Sequence, residues 1–322
     1  MAETLVTERH QPDRSTGPIP GLDLGRLERL TRAVAAIRGG KPLAHGGGLH
    51  HPRAVADGLE FQEHRPLLPG DDPRRVDWRA SARSRHPLVR RYRDERAGEW
   101  VICLDRSASM ALVPDLWPRA LQLAAGLAYL IMHFEHRVGL ALFSARLDHL
   151  VQPGRGQHAF LALVRALGQA QPEGAGGASE PERCRPLLDP GRRAILISDY
   201  LRPDGMIPAL NQLSATSGGV EVLHLAPAPP TLPLGEQVIA DVEDGGRRPL
   251  IVTVESRAAA LARWQALNRD LERHCRARHI PYTRWNLGTG LVGNRANGAN
   301  GTAEGWERTL LRHLTGRAEA LD

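Results

Sequence analysis

The sequence predicts an α/β protein: a doubly wound, mostly parallel sheet preceded by a small N-terminal β-rich module. Short apolar runs (WVICLD, RVGLALFS, RRAILISDY and GVEVLHLAP) alternate with segments of helical period, and such alternation builds strand–helix–strand units around a parallel sheet. These runs lack polar alternation, which suits strands covered on both faces. Two of them end in an aspartate, Asp105 and Asp199, and doubly wound sheets place their binding sites beyond the carboxyl ends of the strands.

Residues 1–20 are polar, contain three prolines and show no period, so a disordered tail is expected. Residues 21–48 form an N-terminal helix and linker: Leu27, Leu30, Val34 and Ile37 follow helical spacing, and GGKPLAHGGG follows as a flexible stretch. Residues 49–99 form the β-rich module, with PGDDP at Pro69–Pro73 as a turn. Residues 100–290 form the α/β domain. Within it, helices are expected at Leu116–Glu135, Gln157–Gln169 and Pro203–Ser214, and DHLVQP is a candidate extra strand. VIADVEDGGRRPLIVTVES reads as a β-hairpin, and Ser256 can cap a long helix from Arg257 to about Arg278. IPYTRWNLG is a last strand. Residues 291–322 are a loop and a helix at Ala303–Thr315.

The chain has 322 residues and is 42 % hydrophobic, enough for a sizeable core. Its longest apolar stretch, Ala120–Phe134, falls short of the roughly 20 residues needed to cross a bilayer. No apolar run marks the N-terminus as a signal peptide. Cys103, Cys184 and Cys275 stand far apart, so neither a disulfide framework nor a cysteine zinc site is indicated. A cytoplasmic, membrane-free protein is expected. The net charge is +6 and Lys41 is the only lysine. Arginine-richness has a plain reading in coding bias and a functional one in a surface that grips acidic groups. Between Arg65 and Arg96, ten arginines face five acids.

Chemistry concentrates in ICLDRSASM. Asp105 ends its strand, and Ser107 and Ser109 follow at alternate positions in the turn before a helix. Aspartate and serine are ordinary helix caps, but this set also suits a hard divalent cation, which takes oxygen ligands. Asp199, at the end of a second strand, can hold waters on the other side of the shell. One divalent cation is therefore expected, with magnesium favoured and manganese or calcium possible.

ICLDRSASM resembles the metal-ion-dependent adhesion site of von Willebrand A domains, and ILISDY resembles that family's later strand and aspartate. The family draws a further ligand from a threonine in an intermediate loop. This chain has no threonine between Thr31 and Thr216, and the resemblance makes Ser179, in GAGGASEPE, the expected substitute. The segment LEFQEHRPLLPGDDPRRVDWRASARSRHPLVRRYRDERAGE resembles the signature of the bacterial family called domain of unknown function 58. The matching pieces are PGDDPRRVDW, Ser81–Arg83 and Pro87–Glu95, and the resemblance runs from about residue 55 to about 285. In this signature Gly70, Asp71, Asp72, Arg74, Asp77, Trp78, Arg83, Arg90 and Glu95 form either a partner-binding surface or a rigid turn; for Trp78, packing is favoured over stacking on a base. The resemblance implies an adaptor for a MoxR-type AAA+ ATPase.

A metal-dependent protein-interaction module, not an enzyme, is the resulting expectation. Nucleic-acid binding through Arg65–Arg96 is an alternative, opposed by the interleaved acids and by an aromatic content of only 4 %. A metal-assisted phosphohydrolase is another. Against it, the strand end carries Asp-x-Ser-x-Ser rather than Asp-x-Asp, and neither a P-loop nor a Gly-x-Ser-x-Gly elbow is present.

Overall fold

In the computed structural model, the described residues are 19–38, 60–66, 76–82, 84, 86–93, 98–173, 178–202, 205–229, 232–242, 245–287 and 306–319. The chain divides into two compact units, His45–Gly98 and the remainder, Met1–Ala44 with Glu99–Asp322.

In the smaller unit, β1 (Glu60–Pro66) pairs antiparallel with β2 (Leu88–Arg93), with a register shift between Phe61 and Glu63. The connection carries a helical turn, α2 (Trp78–Ser81), capped by Asp77, whose Oδ1 accepts from the backbone of Arg79 and Ala80. Asp77 N donates to Leu88 O at 2.8 Å, and Leu88 N donates to Ser81 Oγ at 2.8 Å. These bonds tie the turn to the start of β2. Trp78 is 71 % exposed, so the packing role expected for it is not found among the described residues. Arg90 lies in β2 opposite His64. Gly70, Asp71, Asp72, Arg74, Arg83 and Glu95, and with them the Pro69–Pro73 turn, lie outside the described residues.

The larger unit is built on β3 (Glu99–Asp105), β4 (Arg137–Phe143), β5 (Leu147–Gly154), β6 (Arg192–Ser198), β7 (Val220–Ala226) and β10 (Tyr282–Asn286). They form one six-stranded sheet in the order β10-β7-β6-β3-β4-β5. All neighbours are parallel except β4 and β5. Alternation along β3 explains the two-sided core. Trp100, Ile102 and Leu104 enter one apolar cluster, and Val101 and Cys103 enter the other. The first face is covered by α3 (Leu116–His133) and α4 (Gly156–Gln169). The second receives a 3-10 segment (Pro181–Leu187), α5 (Met206–Thr216) and the C-terminal half of α6 (Val254–Ala277). All three cysteines are buried free thiols.

The terminal helices belong to this same unit, whereas the sequence reading set residues 21–48 and 291–322 apart from the α/β domain. α1 (Leu24–Arg38) and α7 (Trp306–Glu319) bury Leu27, Leu30, Val34, Trp306, Leu310 and Leu314 in the α3 cluster. Gly126 of α3 is what lets α7 approach: a Cβ there would stand 2.7 Å from the Trp306 ring and 2.8 Å from Leu310.

Several expected helix boundaries move, and α5 runs on to Thr216, past the expected Ser214. α3 stops at His133, because Glu135 adopts a left-handed φ of 63°. α6 starts at Val254 and is capped by Thr253; Ser256 is its reciprocal partner in a capping box. α7 begins at Trp306 and runs to Glu319, past the expected Thr315. The hairpin is found as β8 (Gly235–Ala240) and β9 (Arg247–Val252), antiparallel and separate from the main sheet. No described helix is long and apolar enough to cross a membrane.

Candidate functional site

The strand order creates the site. From β3 the chain passes through α3 to β4 on one side, whereas from β6 it passes through α5 to β7 on the other. β3 and β6 are adjacent and parallel, so their carboxyl ends open a crevice where the connections diverge. Leu104 is in register with Ile197, which sets Asp105 beside Ser198.

Asp105 is the hub. Its Oδ1 accepts from Ser107 N at 2.8 Å, which turns the chain sharply after β3. Its Oδ2 accepts from two hydroxyls, Ser179 Oγ at 2.6 Å and Ser198 Oγ at 2.7 Å. The Ser107 hydroxyl bonds the same carboxylate and lies 3.1 Å from Ser109 Oγ. All five residues are buried; Ser109, at 5 % exposed, is the outermost. Burial pushes the Asp105 carboxyl above the usual carboxylate range, and the bonds from Ser179, Ser107 and Ser198 oppose that rise.

The surrounding loops are pinned. Arg202 Nη1 donates to Ser179 O at 2.8 Å and also reaches Glu182 at 3.3 Å. Arg106 donates through Nε to Gln171 O and pairs with Asp148 at 3.1 Å. Glu180 N donates to Ser144 O at the end of β4. Directly beneath, the Cys184 thiol is pushed well up by its hydrogen bond to Cys103 and by burial, and so stays protonated.

Asp199 follows Ser198 at the same rim, and its Oδ1 accepts from Leu201 N at 3.2 Å. The next residue, Tyr200, has a φ of 54°, a left-handed conformation that a non-glycine residue adopts at a cost. Tyr200 N donates to Ser198 Oγ at 3.0 Å, and its hydroxyl donates to Leu196 O at 3.0 Å. On β7, His224 is in register with Ser198. Its imidazole donates to the Asp199 backbone carbonyl, and its Nδ1 lies 2.8 Å from Tyr282 Oη. Burial, aided by the positive charge of Arg284, pushes His224 down to about 3, so the ring is neutral.

The structure thus brings Asp105, Ser107, Ser109 and Ser179 into one hydrogen-bonded group, with Asp199 beside it at the rim. Ser198 was missed by the sequence reading; a hydroxyl closing an apolar strand just before Asp199 was the available signal. Arg202, His224 and Tyr282 carried none, because their roles depend on strands and loops distant in sequence.

Among the described residues, no cluster of three or more His, Cys, Asp or Glu side chains could hold a metal. A hydroxyl-rich set stands outside that description and has to be judged on its own oxygens. Magnesium bonds of about 2.0–2.1 Å put adjacent ligands roughly 2.9 Å apart, and calcium bonds of about 2.3–2.6 Å put them beyond roughly 3.2 Å. The Ser107–Ser109 separation of 3.1 Å suits adjacent ligands of a small cation. The donors are all oxygens and include a buried carboxylate, so the residues present fit a hard divalent ion.

The family described as "Protein of unknown function DUF58" matches residues 63–271. Uncharacterized proteins of Mycobacterium bovis and Mycobacterium tuberculosis are 30 % identical over 203 residues. The match covers 58 % of this chain and 62 % of each of those proteins, so it extends over less than two thirds of their length. Among solved structures, conserved hypothetical protein BatB from Bacteroides thetaiotaomicron aligns over 69 % of this chain and 99 % of its own, at 16 % identity and a TM-score of 0.37. The family match includes β3, the Asp105 turn, the Ser179 loop and the Asp199 turn, and by that match the chain belongs to the DUF58 family.

Proposed function

We propose that the chain is a metal-dependent protein-interaction module of von Willebrand A type rather than an enzyme. The observation that carries the reading is the Ser107–Ser109 hydroxyl pair, 3.1 Å apart and bonded to a buried carboxylate at the crevice between β3 and β6. Ser107, Ser109 and Ser179 are the hydroxyls that would hold a divalent cation, magnesium first, with Asp105 and Asp199 as the nearby negative charges. The bound ion would supply a positive charge that an acidic side chain of a partner protein can complete.

The chain's own residues prepare that contact. Asp105 orients three serines through its two oxygens, so their lone pairs are placed before any partner arrives. Pre-organised groups need little reordering on binding, which favours affinity and register. Nothing in the group pairs an activated nucleophile with a base: the hydroxyls bond a carboxylate already occupied by other donors.

The partner in this reading is a MoxR-type AAA+ ATPase, with the chain acting as a cytoplasmic adaptor in assembly or remodelling of protein complexes. The test is a pull-down of that ATPase by immobilised chain, with millimolar magnesium and with excess chelator. Capture that is lost in chelator and in Asp105→Ala supports the proposal. Undiminished capture in both rejects the metal-bridged form of it.

A further inference from the structure

We infer that His224 is a positioning residue for the candidate metal centre: braced by Tyr282, it grips the backbone of Asp199 and fixes where that carboxylate stands. The inference deepens the metal-binding reading and rests on it.

The geometry is a relay across three strands. Tyr282 begins β10, His224 lies in β7, and Asp199 follows the last residue of β6. Tyr282 is in register with Val222 and Ser198 with His224, so the imidazole lies between the phenol on one side and the Asp199 turn on the other. Its bond to the Asp199 carbonyl uses a ring N–H. The other nitrogen, Nδ1, faces Tyr282 Oη at 2.8 Å, and with one ring N–H spent on the carbonyl it can accept the phenol's hydrogen bond. One tautomer satisfies both contacts, and each contact selects it.

The turn needs such a brace. Tyr200 holds a left-handed φ of 54° immediately after Asp199, a conformation that persists only where the surroundings enforce it. Three bonds do so here: Tyr200 N to Ser198 Oγ, Tyr200 Oη to Leu196 O, and His224 to Asp199 O. The Tyr200 ring also meets the His224 ring edge-on, with centroids 5.2 Å apart. Two of the anchors are therefore made or packed by His224. Ser198, which accepts from Tyr200 N, also donates to Asp105. The brace thus reaches both carboxylates of the site. Groups that orient ligands in this way typically change metal affinity about 10–100-fold when removed.

The experiment is calorimetric titration of the full chain with Mn2+ alone, paired with thermal melts without metal. His224→Phe keeps a ring and removes both hydrogen bonds; it should weaken Mn2+ binding at least about 10-fold. His224→Gln keeps an N–H donor and should recover most of that loss. Tyr282→Phe removes only the phenol oxygen and should weaken binding by a smaller factor. A residue that merely packs would lower the melting temperature and leave Mn2+ affinity unchanged in all three, and that result overturns the inference. If His224→Phe does not fold, equal affinities in wild type, His224→Gln and Tyr282→Phe overturn it as well. Failure of the wild-type chain to bind Mn2+ defeats the metal reading itself, and the inference with it.

Discussion

Ser179 Oγ donates to Asp105 Oδ2 at 2.6 Å although 74 residues separate the two in the chain. Ser198 Oγ shares the same acceptor oxygen at 2.7 Å. A carboxylate at 0 % exposure would be costly alone. Here it is the acceptor for three hydroxyls, those of Ser179, Ser198 and Ser107, and for the Ser107 backbone N–H, and its bonds hold three segments at one point of the sheet.

That arrangement separates two substitutions at Asp105. Asp105→Ala orphans the Ser179 and Ser198 hydroxyls and Ser107 N, and should destabilise the metal-free chain by about 2–4 kcal/mol. Asp105→Asn retains an acceptor and removes the buried charge, and should cost less than about 1 kcal/mol. The sign follows from the raised folded pKa. The wild-type carboxyl favours folding most when protonated, and stability is lost as pH rises from the ordinary carboxylate value through the raised one. Asp105→Asn should lack that loss. Urea unfolding at neutral pH decides the matter, and equal costs for the two variants would count against the hydrogen-bonded hub.

A second polar chain sits at the opposite ends of the strands. Arg193 Nη2 donates to Glu221 Oε1 at 3.1 Å, His313 Nε2 lies 3.0 Å from Glu221 Oε2, and Thr283 Oγ1 lies 2.9 Å from His313 Nδ1. Arg193 already balances Glu221, so a neutral His313 donating through Nε2 and accepting at Nδ1 satisfies every partner. Burial pushes His313 down to about 4. A histidine pKa below the unfolded value contributes stability that is complete above about 6.5 and is lost as pH falls toward 4. His313 alone should remove about 2 kcal/mol between pH 7 and pH 5. His313→Gln should flatten the stability profile by that amount; a profile unchanged by the substitution would show that His313 does not carry the acid limb.

Gly126 tests the docking of the C-terminal helix. An added methyl would stand 2.7 Å from the Trp306 ring and 2.8 Å from Leu310 Cδ1, closer than packed carbon atoms tolerate. Gly126→Ala should cost about 1–3 kcal/mol by forcing α7 outward. Hydrogen exchange over residues 306–319 should rise while exchange in β3 and β6 stays slow. Unchanged protection in α7 would mean that the helix adapts without leaving α3.

The sheet and the hydrogen-bonded group at the candidate site were legible because their signals are local. Apolar runs without alternation gave β3, β4, β6 and β7, and the Asp-x-Ser-x-Ser spacing at a strand end marked Asp105, Ser107 and Ser109. The Leu27, Leu30 and Val34 stripe announced α1, but a stripe does not name what it covers, so its union with α7 over α3 was hidden. Ser198, His224, Tyr282 and His313 act through partners 30 to 93 residues away, and no spacing rule spans such distances. Thr253 was passed over as a cap because Ser256, three residues on, satisfies the same preference.

The central claim is that Ser107 and Ser109 together hold a divalent cation. Calorimetric titration of the wild-type chain with Mn2+, against a Ser107→Ala/Ser109→Ala variant that melts cooperatively, tests it most directly. The account predicts one saturable site in the wild type, weakened at least about 100-fold in the double variant, since two of its ligands are gone. Equal binding by both proteins, or no binding by the wild type, would contradict it.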